Sequence, residues 1–279
     1  MNFILQKKKW EILKFEKVEK QEGYIKVNDV KLFYKFLNIS LLSDNKPLLV
    51  FLHEGLGCIE QWKDFPALLS EKTQCPALLY DREGHGKSDA LKTPRKYDFM
   101  HIQAQKVLPE IFKQLEIEHQ NKILIGHSDG GSIAIIHAGT FPENIIGIIT
   151  EASHQFIEDI TIQGIQDAVK TFKEGKLKNL LYKYHGDKTS SMFEGWASTW
   201  LKPEFRRWNI EEYLKKIKAP FLAIQGKDDQ YGSVAQLESI IKHFPKADIN
   251  HILNCGHIPH LQCDKAILKL MSDFIIKLK

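Results

Sequence analysis

The chain has 279 residues, 43% of them apolar and 27% charged, a composition typical of a soluble globular protein with one large or two small domains. The formal net charge is +4 and the lysines are scattered, so neither nucleic acid nor an anionic membrane is expected as a partner. No stretch approaches the ~18 consecutive apolar residues of a membrane-spanning helix. Residues 1–9 (MNFILQKKK) place the basic residues after the apolar ones, the reverse of a secretory signal, so we expect a cytoplasmic protein.

The cysteines show neither a CxxC pair nor another metal-ligand spacing, and they are Cys58, Cys75, Cys255 and Cys263. Free thiols in a reducing compartment are therefore expected, and no metal site is predicted.

The first predicted element is a half-exposed β-hairpin, because residues 23–28 and 31–37 alternate apolar and polar side chains around Asn28-Asp29. Residues 48–52 (LLVFL) are uniformly apolar instead, which suits a strand buried on both faces. Runs of the same type recur further along the chain, at residues 77–80, 123–125, 145–150 and 221–224, and another apolar segment covers 249–253.

Helical spacing of apolar side chains occupies the intervals between these runs, around residues 60–71, 99–116, 130–140, 233–244 and 263–278. Buried strands that alternate with helices predict an α/β fold with a mostly parallel sheet covered on both faces. Residues 155–218 break the alternation with helical, aromatic-rich segments, which we interpret as an insertion over one edge of the sheet. Ligands bind beyond the carboxyl ends of the strands in such sheets, so the loops there are the candidate site.

A candidate nucleophile follows the third buried run. Residues 126–130 (GHSDG) form a G-x-S-x-G motif between a predicted strand and a predicted apolar helix. A sharp backbone bend at Ser128 would present its hydroxyl clear of the fold, and glycine two residues before and after it would remove the resulting clash. In this context we interpret Ser128 as a nucleophile instead of an ordinary turn serine.

A serine hydroxyl is a poor nucleophile near neutral pH, so it needs a base. Of the twelve histidines, we favour His257, because its loop follows an apolar segment and precedes the last helix, near the sheet end expected for Ser128. His260 is the reserve candidate. His137 lies on the apolar helix after Ser128 and is interpreted as a packed side chain.

The base in turn needs an acid that orients it. Asp228 and Asp229 both lie in the loop at the end of the buried run 221–224, and either could reach the imidazole. Glu151, at the end of the run 145–150, is a third option. Asp129 is not expected to serve, because a carboxylate at the start of a helix caps that helix.

Acyl transfer also requires hydrogen-bond donors for the developing oxyanion. The backbone N–H of Asp129 is the first predicted donor. The second is expected from residues 53–57 (HEGLG), a glycine-containing turn after the run 48–52, where we favour Gly55 and keep Leu56 as the alternative.

These motifs together resemble the α/β-hydrolase family from about residue 23 onward. The matching segments are residues 53–57 (HEGLG), 81–88 (DREGHGKS), 126–130 (GHSDG), 226–229 (GKDD) and 256–257 (GH). The order Ser, Asp, His is that of the family. The resemblance implies a mostly parallel eight-stranded sheet flanked by helices, and it selects Asp229 over Asp228 as the acid. The family usually has His-Gly where this chain has His53-Glu54, so Glu54 could turn outward, contact substrate or pair with a cation.

The resemblance also implies the domain organisation. We predict an N-terminal extension at residues 1–22, an α/β-hydrolase core at 23–154 and 213–279, and a helical cap at 155–212. The predicted substrate-binding residues are Glu54, His127, Trp196, Trp200 and Tyr231. The aromatic residues of the cap, which also include Tyr182, Tyr184 and Phe193, could instead form only the core of the cap itself.

The predicted function is a cofactor-free serine hydrolase that cleaves a small, largely apolar ester, thioester or lactone through an acyl-enzyme. The expected partner is a small-molecule substrate, and the chain is expected to be a monomer or a homodimer. One alternative is carbon–carbon hydrolysis of a ring-fission acid, which needs a cation for the substrate carboxylate; Arg82, Arg206 and Arg207 are weak candidates. The other alternative is a non-catalytic ligand-binding protein that keeps the fold.

Overall fold

The computed structural model describes residues 19–44 and 46–278. In these ranges eight strands form one sheet, in the order β1-β2-β4-β3-β5-β6-β7-β8. The strands are β1 (Lys20–Val27), β2 (Val30–Leu37), β3 (Leu48–Leu52), β4 (Ala77–Tyr80), β5 (Lys122–His127), β6 (Ile145–Glu151), β7 (Phe221–Gly226) and β8 (Asp248–Ile252).

Only β2 runs against the other strands: it pairs antiparallel with β1 and β4, and every other neighbouring pair is parallel. The hairpin turns at Asn28 and Asp29, whose φ angles of 49° and 63° are those of a two-residue turn with positive φ. The predicted mostly parallel eight-stranded sheet is confirmed. β1 begins at Lys20, before the predicted boundary at residue 23, and residues 1–18 of the predicted N-terminal extension lie outside the described residues.

Helices cover both faces of the sheet. They are α1 (Phe65–Thr73), α2 (Phe99–Ile102), α3 (Leu108–Gln114), α4 (Asp129–Thr140), α5 (Asp159–Lys173), α6 (Lys176–His185), α7 (Thr189–Trp200), α8 (Glu211–Leu214), α9 (Ala235–His243), α10 (Pro259–Gln262) and α11 (Asp264–Lys277). A π-helical turn, Gln103–Val107, joins α2 to α3. Short 3₁₀ turns cover Ile39–Asp44, Ile59–Trp62, Gly186–Lys188 and Pro203–Arg207.

The uniformly apolar strands are explained by two cores, one on each face. Leu48, Val50 and Leu52 of β3 point into the core that contains α4, whereas Leu49 and Phe51 point into the core that contains α1 and α11. Successive side chains of a strand point to opposite faces, so both sets must be apolar when both faces are covered. β3 and β5, which carry the candidate site at their carboxyl ends, are thus fixed at the centre of the molecule.

Helices α5, α6 and α7 lie between β6 and β7, in the region for which the sequence predicts a cap. The division of the chain into a core and a cap stays a prediction. In the described part of the chain, no helix combines the length and the apolar character needed to cross a membrane. All four cysteines are free thiols.

Candidate active site

Ser128 lies in the sharp turn between β5 and α4. Its backbone has φ 52° and ψ −116°, in a region that a residue with a side chain rarely adopts. Its N–H donates to the carbonyl of Glu151 at the end of β6, over 2.8 Å. Its side chain is 8% exposed, and its hydroxyl has no hydrogen-bond partner among the described residues.

Two glycines allow this turn. A Cβ atom on Gly126 would fall well inside the van der Waals radius of the Gly130 carbonyl, and one on Gly130 would collide with the carbonyl of Leu52 at the end of β3. These neighbours are backbone atoms, which cannot rotate away as a flexible side chain can. The absence of both side chains therefore lets α4 begin directly against the ends of β3 and β5.

His257 and Asp229 form a hydrogen-bonded pair. The Nδ1–H of His257 donates to Oδ1 of Asp229 over 2.8 Å, and the same oxygen accepts the backbone N–H of Tyr231 over 2.8 Å. Asp228 is exposed and is not brought to the imidazole. Burial alone would raise the pKa of Asp229, but the charge of His257 and its hydrogen bond hold that pKa below its usual value.

The acidic side chains around His257 favour its protonated form. Burial opposes the protonated form, but Asp229, through its charge and its hydrogen bond, together with Glu54 and Asp129, raises the pKa of His257 above its ordinary value. The ring of Tyr231 lies against the imidazole, with 4.6 Å between the ring centroids.

The two reserve candidates, Glu151 and His260, pair with each other. Their Oε2 and Nδ1 atoms are 2.5 Å apart, both side chains are buried, and the His260 ring lies against Trp62 at an interplanar angle of 32°. His137 is a packed side chain: it donates from Nδ1 to the carbonyl of Ala104, and burial lowers its pKa to about 4. Within the described ranges, no three His, Cys, Asp or Glu side chains are arranged to hold a metal ion.

Ser128 and His257 line the same cavity, of about 40 Å³. The lining residues are Glu54, Gly55, Leu56, Ser128, Asp129, His154, Thr161, Ile165, Trp196, Trp200, Tyr231 and His257. No hydrogen bond joins Ser128 to His257 among the described residues, and such bonds are often long before a substrate binds. The cavity contains four of the five predicted substrate-binding residues.

His127 is the predicted binding residue that the structure does not place in this cavity. Its Nε2–H donates to the backbone carbonyl of His257 over 2.7 Å, which holds the His257 loop. Its side chain lines a neighbouring cavity of about 170 Å³, together with His260 and Tyr184. The sequence alone does not show which of the two cavities His127 lines, because this depends only on the direction of its side chain at the end of β5.

His154 is a cavity residue that the sequence analysis missed. It follows β6 by three residues, and no motif marks it. The rule that ligands bind at the carboxyl ends of the strands is the only sequence signal that could have found it.

The aromatic residues of the predicted cap lie in three different environments. Trp196 and Trp200 line the Ser128 cavity. Phe193 stacks on Phe172, with ring centroids 3.8 Å apart, and so belongs to the packing of the inserted helices. Tyr182 is exposed.

The loop after β3 is held by Arg82. The guanidinium of this buried residue donates to the carbonyls of His53 and Glu54, over 2.5 and 2.8 Å, and its backbone N–H donates to Nε2 of His53. The backbone N–H groups of Gly55 and Asp129 donate to no other group in the described residues. The N–H of Leu56, the alternative oxyanion donor, is engaged by Oε2 of Glu54 over 2.8 Å.

Glu54 lines both the Ser128 cavity and the neighbouring cavity, and no ion pair to it occurs among the described residues. Burial raises the pKa of this carboxyl group.

The Trp196 indole lies so close to Gly55 that a Cβ atom at position 55 would collide with Nε1 of the indole. Trp196 therefore closes the cavity over the loop that carries Gly55.

Residues 49–270 match the model of the alpha/beta hydrolase family. The chain belongs to this family. The resemblance of its motifs is thus confirmed at the level of the family, and the chain is a hydrolase.

Relatives of this hydrolase have several activities. It is 24% identical to the proline iminopeptidase of Saccharolobus solfataricus, over 91% of this chain and 92% of the relative. It is also 24% identical to the 2-hydroxy-6-oxononadienedioate/2-hydroxy-6-oxononatrienedioate hydrolase of Paraburkholderia phymatum, over 82% of this chain and 87% of the relative. The enol-lactonase of Burkholderia xenovorans matches 91% of this chain and 99% of its own with a TM-score of 0.68, and at 19% identity shows the fold alone.

We expect Gly130→Ala to lower the free energy of unfolding by about 3 kcal/mol or more, since overpacking against backbone lies at the upper end of such costs. Gly195→Ala in α7 is the matched control. Its Cβ would meet only the flexible end of Leu91, so a change of about 1 kcal/mol or less is expected. Urea denaturation of the three proteins measures both values, and equal losses would contradict the role given to Gly130.

Proposed function

We propose that this hydrolase cleaves small esters, thioesters or lactones through an acyl-enzyme formed on Ser128. The observation that carries this proposal is that Ser128, on a strained turn, shares one cavity with His257, whose ring is hydrogen-bonded to Asp229. In this mechanism His257 takes the proton of the Ser128 hydroxyl as it attacks the carbonyl carbon. Asp229 keeps the proton of the imidazole on Nδ1 and stabilises the imidazolium that forms.

The tetrahedral intermediate carries a negative oxygen that needs donors. We assign this role to the backbone N–H groups of Gly55 and Asp129, each worth roughly 10²–10³ in rate. Both groups are free of other acceptors, and Arg82 fixes the loop that carries Gly55. The imidazolium then protonates the leaving group, and a water molecule activated by the neutral His257 releases the acid from Ser128.

Carbon–carbon hydrolysis of an anionic ring-fission acid is less well supported. The relative from Paraburkholderia is named for a dioate substrate, which would need a cationic side chain in the site. Arg82 is held by backbone carbonyls, Arg206 pairs with Asp159 at the surface, and Arg207 is exposed. No arginine or lysine is present among the described residues that line the cavity.

We expect Ser128→Ala to lower the rate of hydrolysis of p-nitrophenyl acetate by roughly 10⁴–10⁶-fold, because it removes the nucleophile. A fluorophosphonate probe should label the wild type and leave this variant unlabelled. Ser191→Ala removes the hydroxyl of an exposed serine on α7 and should keep both activity and labelling. Equal labelling of the wild type and Ser128→Ala would refute the assignment, as would a wild type that neither reacts nor turns over ester.

The pH dependence of kcat/KM should report His257. The base must be neutral to take a proton, and Asp229, Glu54 and Asp129 raise its pKa, so activity should increase through a midpoint above the ordinary histidine value of ~6.5. A pH profile of p-nitrophenyl acetate hydrolysis between pH 5 and 9 measures the midpoint. A midpoint below pH 6 would contradict the assignment of His257 as the base.

The cavity is small, at about 40 Å³, so the acyl group is expected to be short. Trp196→Ala should open it and favour longer acyl chains. The ratio of kcat/KM for p-nitrophenyl butyrate over acetate should increase about tenfold, since burying two methylene groups contributes about 1.6 kcal/mol. Trp208→Ala, which removes a buried indole outside the cavity, is the control and should leave the ratio unchanged. An unchanged ratio in Trp196→Ala would contradict the proposal that Trp196 limits the length of the acyl group.

A further inference from the structure

The wall of the Ser128 cavity contains a buried carboxylate without a hydrogen-bond donor. Asp129 is 1% exposed, and neither of its oxygens accepts a hydrogen bond in the described structure. The nearest cation is Arg82, whose Nη2 is 3.9 Å from Oδ2, beyond hydrogen-bond distance, and already donates to the carbonyl of Glu54. Burial disfavours the charged form of this carboxyl group and raises its pKa, and a ligand that supplies donors would stabilise the carboxylate.

His154 adds a second acceptor. Its Nε2 is 3.0 Å from the carbonyl oxygen of Tyr231, which can only accept, so the proton of the neutral ring is on Nε2. Nδ1 is then a lone-pair acceptor, and this buried atom has no partner among the described residues. Burial and the charge of His257 lower the pKa of His154, which keeps the ring neutral.

Glu54 adds a third. Its Oε2 accepts the N–H of Leu56, while Oε1 has no hydrogen-bond partner in the part of the chain that is described. The cavity residues thus offer four acceptor atoms without donors: both oxygens of Asp129, Nδ1 of His154 and Oε1 of Glu54. The cavity residues also have donors without acceptors. These are the backbone N–H groups of Gly55 and Asp129, which the proposed mechanism uses, and the buried indole N–H of Trp200.

We propose that the cavity binds a substrate whose acyl part carries a protonated amino group, held by Asp129, Glu54 and His154. An ammonium group supplies three N–H donors and a positive charge, which matches an acceptor-rich wall with two acids. This inference rests on the proposed function, because it requires the ester carbonyl at Ser128.

The positions of the acids fix where the amino group lies in the substrate. Asp129 directly follows Ser128, and Glu54 directly precedes Gly55, the proposed oxyanion donor. A Cβ atom at position 55 would lie 3.1 Å from Oδ2 of Asp129, so this carboxyl group is close to the proposed oxyanion donor. We therefore place the amino group on the second or third carbon of the acyl chain. The expectation of a largely apolar substrate is thereby narrowed to a small amino-acyl group.

The test compares p-nitrophenyl 3-aminobutyrate with p-nitrophenyl 3-methylbutyrate, in which a methyl group of similar size replaces the ammonium group. At pH 7 and low ionic strength, we expect kcat/KM of the wild type to be at least about tenfold higher for the amino ester. Glu54→Gln and Asp129→Asn should each reduce this ratio about tenfold. Glu60→Gln, an exposed carboxyl group outside the cavity, should leave it unchanged.

The outcomes separate the two proposals. If neither ester is hydrolysed in a Ser128-dependent reaction, the proposed function is wrong. If the neutral ester is hydrolysed as fast as the amino ester or faster, the amino-group proposal is wrong and the proposed function stands.

A binding measurement covers the case in which the variants do not fold, which their melting temperatures would reveal. Methylammonium chloride should change the rate of fluorophosphonate labelling of Ser128 in the wild type, whereas methanol or sodium chloride at the same concentration should not. Equal labelling in all three solutions would overturn the proposal.

Discussion

The candidate site depends on the close approach of backbone segments around Ser128. α4 begins so near the end of β3 that only glycine fits at position 130, and Ser128 is held in a left-handed conformation by its hydrogen bond to the end of β6. Such a conformation costs roughly 1–3 kcal/mol and persists only where the surrounding structure determines it. Here three central strands, buried on both faces, provide that structure. The hydroxyl is therefore positioned by strands that are packed on both faces.

Arg82 fixes the loop that faces Ser128, as the central strands fix Ser128 itself. A buried guanidinium is stable only when its donors are satisfied, and here two backbone carbonyls and the charge of Asp129 surround it. The same bonds fix the loop, so the N–H of Gly55 is oriented before a substrate arrives. They also make this cation unavailable to a substrate carboxylate. One side chain thus both organises the loop and leaves the cavity with an excess of acceptors.

The features that could be predicted from the sequence are those that depend on the periodicity of apolar residues and on close packing of the backbone. The apolar runs gave the central strands, and the glycines around Ser128 gave the sharp turn, because both patterns have one dominant physical explanation. The choice of Asp229 over Asp228 needed the family resemblance, since both residues leave the same strand and only their side-chain directions differ. His154, the role of His127 and the pairing of Glu151 with His260 depend on side chains that meet across different strand ends. The pattern within one segment of the sequence does not show which side chains of other segments it will contact.

Substrate charge and the state of the base are linked in this cavity. Glu54 and Asp129 raise the pKa of His257, so they favour the protonated imidazole, which cannot act as a base. An ammonium group placed between these acids would offset their charge and lower that pKa. Binding of the proposed substrate would then itself favour the neutral imidazole that deprotonates Ser128, whereas a neutral ester of the same size would add no positive charge near the acids. The two carboxyl groups would in this way both select the substrate and make the activity of His257 depend on its presence.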